Sequence, residues 1–530
     1  MSENCREERF MNKPVVLLVT TATSSSRTAE ENLGLGYIAA ACREKDINAI
    51  IIDGWLEELT SEDIINRILD FEKPIFVGFS CNLLTGDVAI DIVKKLKDRG
   101  YNIPFVAGGF SPTLNPKKFL DAGFDFISMA EGERTLVNLC EYFLYKKLDL
   151  SQIVGLAYYD KKGELHYKKN ECVSNLDELS FPSRDTIDYV MKNKIPVNVS
   201  TSRGCFSSCL FCSVAAFWRT SEGVKWRGRS INNIVDELEQ LYHKGARYFK
   251  FVDDSFIEPP RGTEWCNSFA DEINKRGLDI RFRITMRADR VSEELVDALC
   301  RAGCNSIVIG IENFNCDALK RMGKIANREI NIKALDCLKK FDLYILHGFI
   351  LFDYATTFEE LKDNYELMNK YSWAICKGIF SEMYAATGTR YTEILRKQGL
   401  IKSDAHYENY EYDIIDARAK MVYDALKAWH ISHVKMYDMM IEPINKPRVL
   451  SEDGLKRFYD LYVEVRRRDL NFMKHVLDLV EADARKECLN DFVSLTIREN
   501  IQWFEECQNK VDKLYCLEGI KYMAEEDPFT

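Results

Sequence analysis

Two runs of short apolar segments, each alternating with amphipathic helical stretches, restrict what this chain can fold into more than any other feature. The first run places strand-like segments at Val15–Thr20, Ala49–Ile52, Ile75–Ser80, Pro104–Ala107 and Phe124–Met129. Helical spacing lies between them, as at Gly34–Lys45, Glu62–Phe71 and Val88–Arg99. Fully apolar strands that alternate with helices have both faces covered, so they predict a parallel, doubly wound sheet. The second run begins at Pro196, with strands expected at Val197–Thr201, Tyr248–Val252, Arg281–Met286, Ser306–Glu312, Tyr344–Phe352 and Ala374–Tyr384. Six such units predict a partial or complete β/α barrel. Between the runs, Val154–Tyr159 and Glu164–Tyr167 flank Asp160-Lys-Lys-Gly163 and read as a hairpin within a linker. After Gly399 the spacing of Leu455, Phe458, Tyr462, Val465, Phe472, Val476 and Val480 is helical. The expected organisation is α/β: a Rossmann-like domain over 1–150, a hairpin linker over 151–195, a β/α barrel over 196–399 and a helical C-terminal domain over 400–530.

Ligands of parallel sheets bind at the carboxyl ends of the strands. In the first run those ends carry Thr21–Ser26, Ser80–Gly86 (with Cys81, Asn82 and Leu84), Gly108-Gly109 and Glu131-Gly132-Glu133. Small residues on four neighbouring ends let backbone approach a bulky ligand closely. The net charge of −11 offers no sustained basic stripe, so a nucleic-acid partner is not expected. Met1 to Lys13 is polar, and apolar runs such as Tyr344–Phe352 are too short to span a bilayer. No membrane partner and a cytoplasmic location are therefore expected.

Among 17 cysteines, one group is clustered: Thr201-Ser-Arg-Gly-Cys205-Phe-Ser-Ser-Cys209-Leu-Phe-Cys212, directly after the first barrel strand. A structural zinc site takes four ligands, and no fourth cysteine or histidine follows at suitable spacing. A disulfide leaves one thiol over and is disfavoured in a reducing compartment. A [4Fe–4S] cluster can take three protein thiolates and leave one iron open. His430 and His433 sit three apart on one helix without a third ligand, so packing is expected of them.

Cys-x3-Cys-x2-Cys with Phe211 before the last cysteine, after strand one of a β/α barrel, resembles the radical S-adenosylmethionine (SAM) superfamily. The resemblance implies that the open iron chelates SAM, whose one-electron cleavage gives a 5′-deoxyadenosyl radical. It implies SAM contacts from Asp253 and Asp254 for the methionine amino group, Arg287 for its carboxylate and Glu312 for the ribose. Thr387-Gly-Thr389 with Gly399-Leu400 is similar to the superfamily's late Gly-Thr turn.

The first 150 residues resemble the cobalamin-binding domain that precedes the barrel in one radical SAM class, through Phe105-Val-Ala-Gly-Gly109-Phe-Ser-Pro-Thr113 and Ala130-Glu-Gly-Glu-Arg-Thr135. The Asp-x-His-x-x-Gly motif is absent, and no histidine precedes His166. The resemblance thus implies base-off cobalamin without a histidine ligand, held by Ser80, Cys81, Asn82, Leu84, Gly108, Gly109, Glu131 and Gly132.

It further implies methylation of an unactivated centre of a natural-product or peptide substrate, with an external flavodoxin- or ferredoxin-type reductant. Radical cyclisation, ring rearrangement or oxidation with the same cofactors, and a non-catalytic corrinoid carrier, stay open as alternatives. His347 and Tyr384 are the candidate proton-handling residues, each also readable as a core side chain.

Overall fold

The computed structural model describes residues 13–22, 30–402, 409–446 and 448–522. The Thr21–Ser26 strand end lies largely outside them, from residue 23 onward.

The first sheet orders its strands β2-β1-β3-β4-β5-β6-β7. Its parallel part is β1 (Val15–Thr20), β2 (Asn48–Asp53), β3 (Val77–Ser80), β4 (Phe105–Gly108) and β5 (Phe126–Ser128). The helices Leu33–Arg43 and Glu133–Tyr145 cover one face, while Ser61–Leu69 and Gly86–Asp98 cover the other. Because both faces are covered, Leu17 and Val19 fill one core while Val16 and Leu18 fill the other. Thr60 and Asp63 start the helix Ser61–Leu69 with a reciprocal capping box.

The hairpin is not a free linker. Its strands β6 (Leu156–Tyr159) and β7 (Leu165–Tyr167) extend the first sheet antiparallel from β5. Pairing Ala157 with Ile127 covers an edge that the doubly wound pattern would leave open. A two-residue strand, β8 (Asn170–Glu171), then pairs with β11 (Ser221–Glu222).

The second sheet is parallel in the order β16-β15-β14-β13-β9: β9 (Val197–Val199), β13 (Tyr248–Phe251), β14 (Arg281–Arg287), β15 (Cys304–Glu312) and β16 (Tyr344–Phe349). The expected sixth strand forms only isolated parallel bridges, Ile375 with Leu346 in β16 and Glu382 with Phe352 beyond its end. A short antiparallel ribbon, β10 (Ser202–Gly204) with β12 (Trp226–Gly228), carries the chain into the cysteine loop. Beyond residue 399 the chain is helical, with Ala417–Ile431, Val434–Asn445, Glu452–Glu481 and Lys486–Glu518, except that β18 (Asn409–Tyr410) pairs with β17 (Ala385–Ala386). These helices share one continuous core with the barrel, from Phe249 and Ile284 through Trp429 and Tyr462 to Phe504.

Candidate active site

The cysteine loop leaves β10 at Gly204, whose φ is +90° and where a Cβ would stand 1.8 Å from the Lys225 carbonyl oxygen. Only glycine allows the ribbon to close at that point. The loop is pinned by Leu210, whose N–H donates to the Met322 carbonyl (2.9 Å) and whose carbonyl accepts from the Tyr391 N–H (3.0 Å). Tyr391 begins the helix capped by Thr389, so the late Gly-Thr turn braces the loop. Phe211 packs on the neighbouring cluster that includes Met322 and Tyr391.

The Ser207 N–H donates to Cys205 Sγ at 3.4 Å, and Ser207 Oγ lies 3.1 Å from Cys209 Sγ. Burial raises the Cys205 thiol to about 12 and the Cys212 thiol to about 11, so assembly of a cluster there must displace protons from both.

Around the triad, Glu312 has φ +62°, at a point where the β15–β16 register shifts. Its carboxylate lies over Gly310 and Gly348, where a Cβ would come within 2.8 and 2.9 Å of its oxygens. Lys324 Nζ donates to it (3.3 Å) and to the Gly310 carbonyl (3.1 Å). A non-glycine residue held in this strained region and aimed across the barrel mouth fits a ligand contact.

Arg287 is already engaged, with Nη1 on Glu258 (3.0 Å) and Nε and Nη2 on Asp289 (2.9 and 2.7 Å). Glu258 also lies 3.4 Å from Cys205 Sγ. Asp253 is fully committed to the start of the ribbon, accepting from the Thr201 N–H (2.7 Å), the Thr201 hydroxyl and the Ser202 N–H (3.0 Å). These bonds anchor the start of the loop. Asp254 accepts from the Gly204 N–H and from Trp218 Nε1, both at 3.0 Å, and does face a cavity.

That cavity, of about 280 Å³, lies between the carboxyl edge of the first sheet and the ribbon. Ser80, Gly108, Gly109, Glu131 and Gly132 line it, joined from the barrel by Arg203, Trp218 and Asp254. Gly109 has φ +94°, and a Cβ there would meet the Cys81 carbonyl oxygen at 2.6 Å. Ser128 Oγ, buried in the same wall, has no hydrogen-bond partner among the described residues. A glycine cradle with an unsatisfied buried hydroxyl fits a bulky ligand bearing polar groups. Cys81 stands apart: its side chain lies in the apolar core, and only its backbone, bonded to the Gly108 carbonyl, shapes the edge.

A second cavity, of about 520 Å³, collects Asn82, Leu84, Phe110 and Leu114 from the first sheet's edge, Ser213 beside Cys212, and Tyr384 from the barrel. Ile441, Asn445 and Lys446 of the C-terminal helices close it. A larger groove of about 1380 Å³ opens at the amino ends of the barrel strands, among Arg281, Gly303 and Tyr344, and none of the three clustered cysteines reaches it.

His347 does not join either cavity. Its neighbour Gly348 faces the Glu312 carboxylate, so His347 points to the opposite face of the strand, and burial together with Arg466 of the helix Glu452–Glu481 lowers it to about 3. His430 and His433 are buried packing residues, His433 lying 3.1 Å from Asp469.

The model of the B12 binding domain matches residues 19–140, and that of the radical SAM superfamily matches residues 199–368. An uncharacterised methyltransferase of Pyrococcus horikoshii is 30% identical over 367 residues, covering 67% of this chain and 78% of that protein. The chain is a cobalamin-dependent radical SAM enzyme. The 4′-phospho-dehydrooxetanocin synthase of Priestia megaterium is 27% identical over 366 residues, 64% of this chain and 48% of the synthase. The fold is shared with the cobalamin-dependent SAM radical enzyme OxsB solved with aqua-cobalamin and SAM bound (TM-score 0.76, 22% identity, 99% of this chain and 83% of that one). The two matched domains imply a [4Fe–4S] cluster, SAM and cobalamin as cofactors.

Sequence reasoning missed Ser128, Trp218, Glu258 and Lys324, which are ordinary polar or aromatic residues outside any motif. Arg203 stood inside the quoted motif without a role.

Proposed function

We propose that this enzyme transfers a methyl group to an unactivated centre of a small-molecule or peptide substrate seated in the 520 Å³ cavity. The observation that carries the reading is the composition of that wall: the strand edge assigned to cobalamin and the residue following Cys212 line the same space. When bound, the cluster supplies the electron that cleaves SAM and the corrinoid supplies the methyl group. Cys205, Cys209 and Cys212 would hold the cluster. Glu312 and Asp254 would orient SAM, and Arg287 would do so once its fork shifts from Glu258. Ser80, Gly108, Gly109, Ser128, Glu131 and Gly132 would hold the corrinoid. The apolar wall of Leu84, Phe110, Leu114 and Ile441 keeps water and loose hydrogen donors from a substrate radical. Tyr384 is the phenol positioned in that wall to meet substrate.

Base-off binding without histidine is supported by the histidine positions. The first described histidine, His166, sits on the hairpin beside Asp160 and stacked on Tyr158, away from the strand edges. None of the 16 described cysteines forms a disulfide, which supports a reducing cytoplasm, where an external one-electron donor of flavodoxin or ferredoxin type would serve the cluster. Among the described residues no helix is long and apolar enough to cross a membrane.

A second reading, radical rearrangement or oxidation with the same cofactors, is favoured by one relative being named a synthase. The testing experiment is anaerobic reconstitution followed by assay of 5′-deoxyadenosine with SAM and a strong reductant. Formation that depends on the three cysteines, together with one bound corrinoid per chain, supports the reading. A reconstituted protein that binds corrinoid without cleaving SAM would leave only a carrier.

A further inference from the structure

We propose that Arg203 is a positioning residue that couples the corrinoid cavity to the cluster loop, so that filling one site changes the affinity of the other. The proposal rests on the assignment of the two cofactor sites given above. Arg203 lies in β10, two residues before Cys205, and its guanidinium turns away from the thiols toward the first sheet. Nη1 donates to Glu131 (2.9 Å), Nη2 donates to Glu133 (2.6 Å), and the guanidinium lies 4.9 Å from the centre of the Tyr37 ring. All four residues line the 280 Å³ cavity, and the three charged side chains are 14%, 5% and 7% exposed.

The contact is doubled on the other strand of the ribbon. Arg227, paired in register with Arg203, donates to Glu131 at 2.8 Å, and the Val173 N–H donates to the same carboxylate at 2.8 Å. Behind the loop, Trp218 ends the short helix that follows Cys212. Its ring carries the Arg227 guanidinium at 4.9 Å, and its N–H donates to Asp254, which also holds the Gly204 N–H. The cysteine loop is therefore gripped on both flanks, by Arg203 before it and Trp218 after it. Both gripping groups form walls of the same cavity.

A buried guanidinium shared by two carboxylates resists rearrangement, because releasing either carboxylate leaves a desolvated charge without a partner. A ligand that moves the Glu131 to Glu133 wall thus moves the β10 end of the loop instead of being absorbed by slack side chains. By linkage, any such effect is reciprocal between the two ligands.

The test uses the full chain, reconstituted anaerobically, with SAM titrated against the reduced cluster by electron paramagnetic resonance, with and without hydroxocobalamin. In the wild type, SAM affinity should differ about 5-fold or more between corrinoid-loaded and corrinoid-free protein. In Arg203→Gln and Arg203→Met the ratio should collapse to within about 2-fold of unity while each variant keeps its full iron content, a signature that simple destabilisation does not produce. If the Arg203 variants fail to fold, Glu133→Gln, which removes one leg of the fork outside the loop, should reduce the ratio. Equal SAM affinity in loaded and corrinoid-free wild type overturns the coupling, as does a ratio that survives in the variants. A wild type that binds SAM but no corrinoid overturns the cofactor assignment and the coupling with it.

Discussion

On the proposed ligand set, replacing any one of Cys205, Cys209 or Cys212 by alanine would remove a third of the cluster's protein ligands. Each variant should reconstitute with little iron and form no 5′-deoxyadenosine, read by iron assay and chromatography; retention of both by any single variant would contradict the ligand set. These candidates stand out in the sequence because all three fall in one local stretch, where spacing carries the proposal.

His347 was not legible in the same way. Both faces of a barrel strand are apolar or buried, so alternation cannot say which side looks inward; the approach of the Glu312 carboxylate to neighbouring Gly348 decides it. Because its folded value is depressed to about 3, the neutral ring contributes stability fully above its unfolded value of ~6.5, and that contribution is lost as pH falls from there through 3. His347→Leu should leave SAM cleavage unchanged and flatten the pH dependence of unfolding between about 6.5 and 4.5 by up to ~1.4 kcal/mol per pH unit. Loss of SAM cleavage in a well-folded variant would return His347 to the active site.

At the scale of elements, the five parallel strands of the first sheet and five of the barrel's six were readable from apolar length and the turns between them. The hairpin's membership of the first sheet was not readable, because edge pairing depends on which strand is last in the sheet order, a non-local fact. The sixth barrel strand fades to single bridges for a related reason: Ala374–Tyr384 satisfies its backbone partly through side chains, as where the Cys376 N–H donates to the Tyr462 hydroxyl (3.0 Å).

The tight approach of the β3 and β4 ends gives a sharp prediction. Gly109→Ala requires a positive φ and a Cβ 2.6 Å from the Cys81 carbonyl oxygen, so it should destabilise the first domain by at least ~1 kcal/mol. It should also weaken corrinoid retention on gel filtration. Unchanged thermal unfolding and retention would mean that this edge is not the cradle described.

For the whole molecule, the two sheets meet through buried ion pairs instead of a linker. Burial would raise Glu131, but Arg203 and Arg227 hold its carboxyl below the ordinary carboxylate range. Its contribution is therefore present above its unfolded value of ~4.3 and lost as pH falls through the lower folded value. Glu131→Gln should remove that part of the acid sensitivity, as followed by chemical unfolding at pH 3 to 5. An unchanged acid profile would show that the pairs do not join the domains. None of this was visible in sequence, since Glu131 and Arg203 are 72 positions apart and gain meaning only when the sheet edges face each other. The C-terminal helices, legible in sequence as a helical domain, contribute Ile441 and Lys446 to the wall of the 520 Å³ cavity.

The central claim is that one substrate cavity is served by both cofactor edges. The most direct measurement is anaerobic incubation of the reconstituted chain with hydroxocobalamin, a strong reductant, methyl-labelled SAM and extract of its own cell, read by mass spectrometry. The account predicts 5′-deoxyadenosine together with a product that has gained one labelled methyl group in place of hydrogen. Deoxyadenosine accompanied by a product that has lost two hydrogens and carries no label would contradict it.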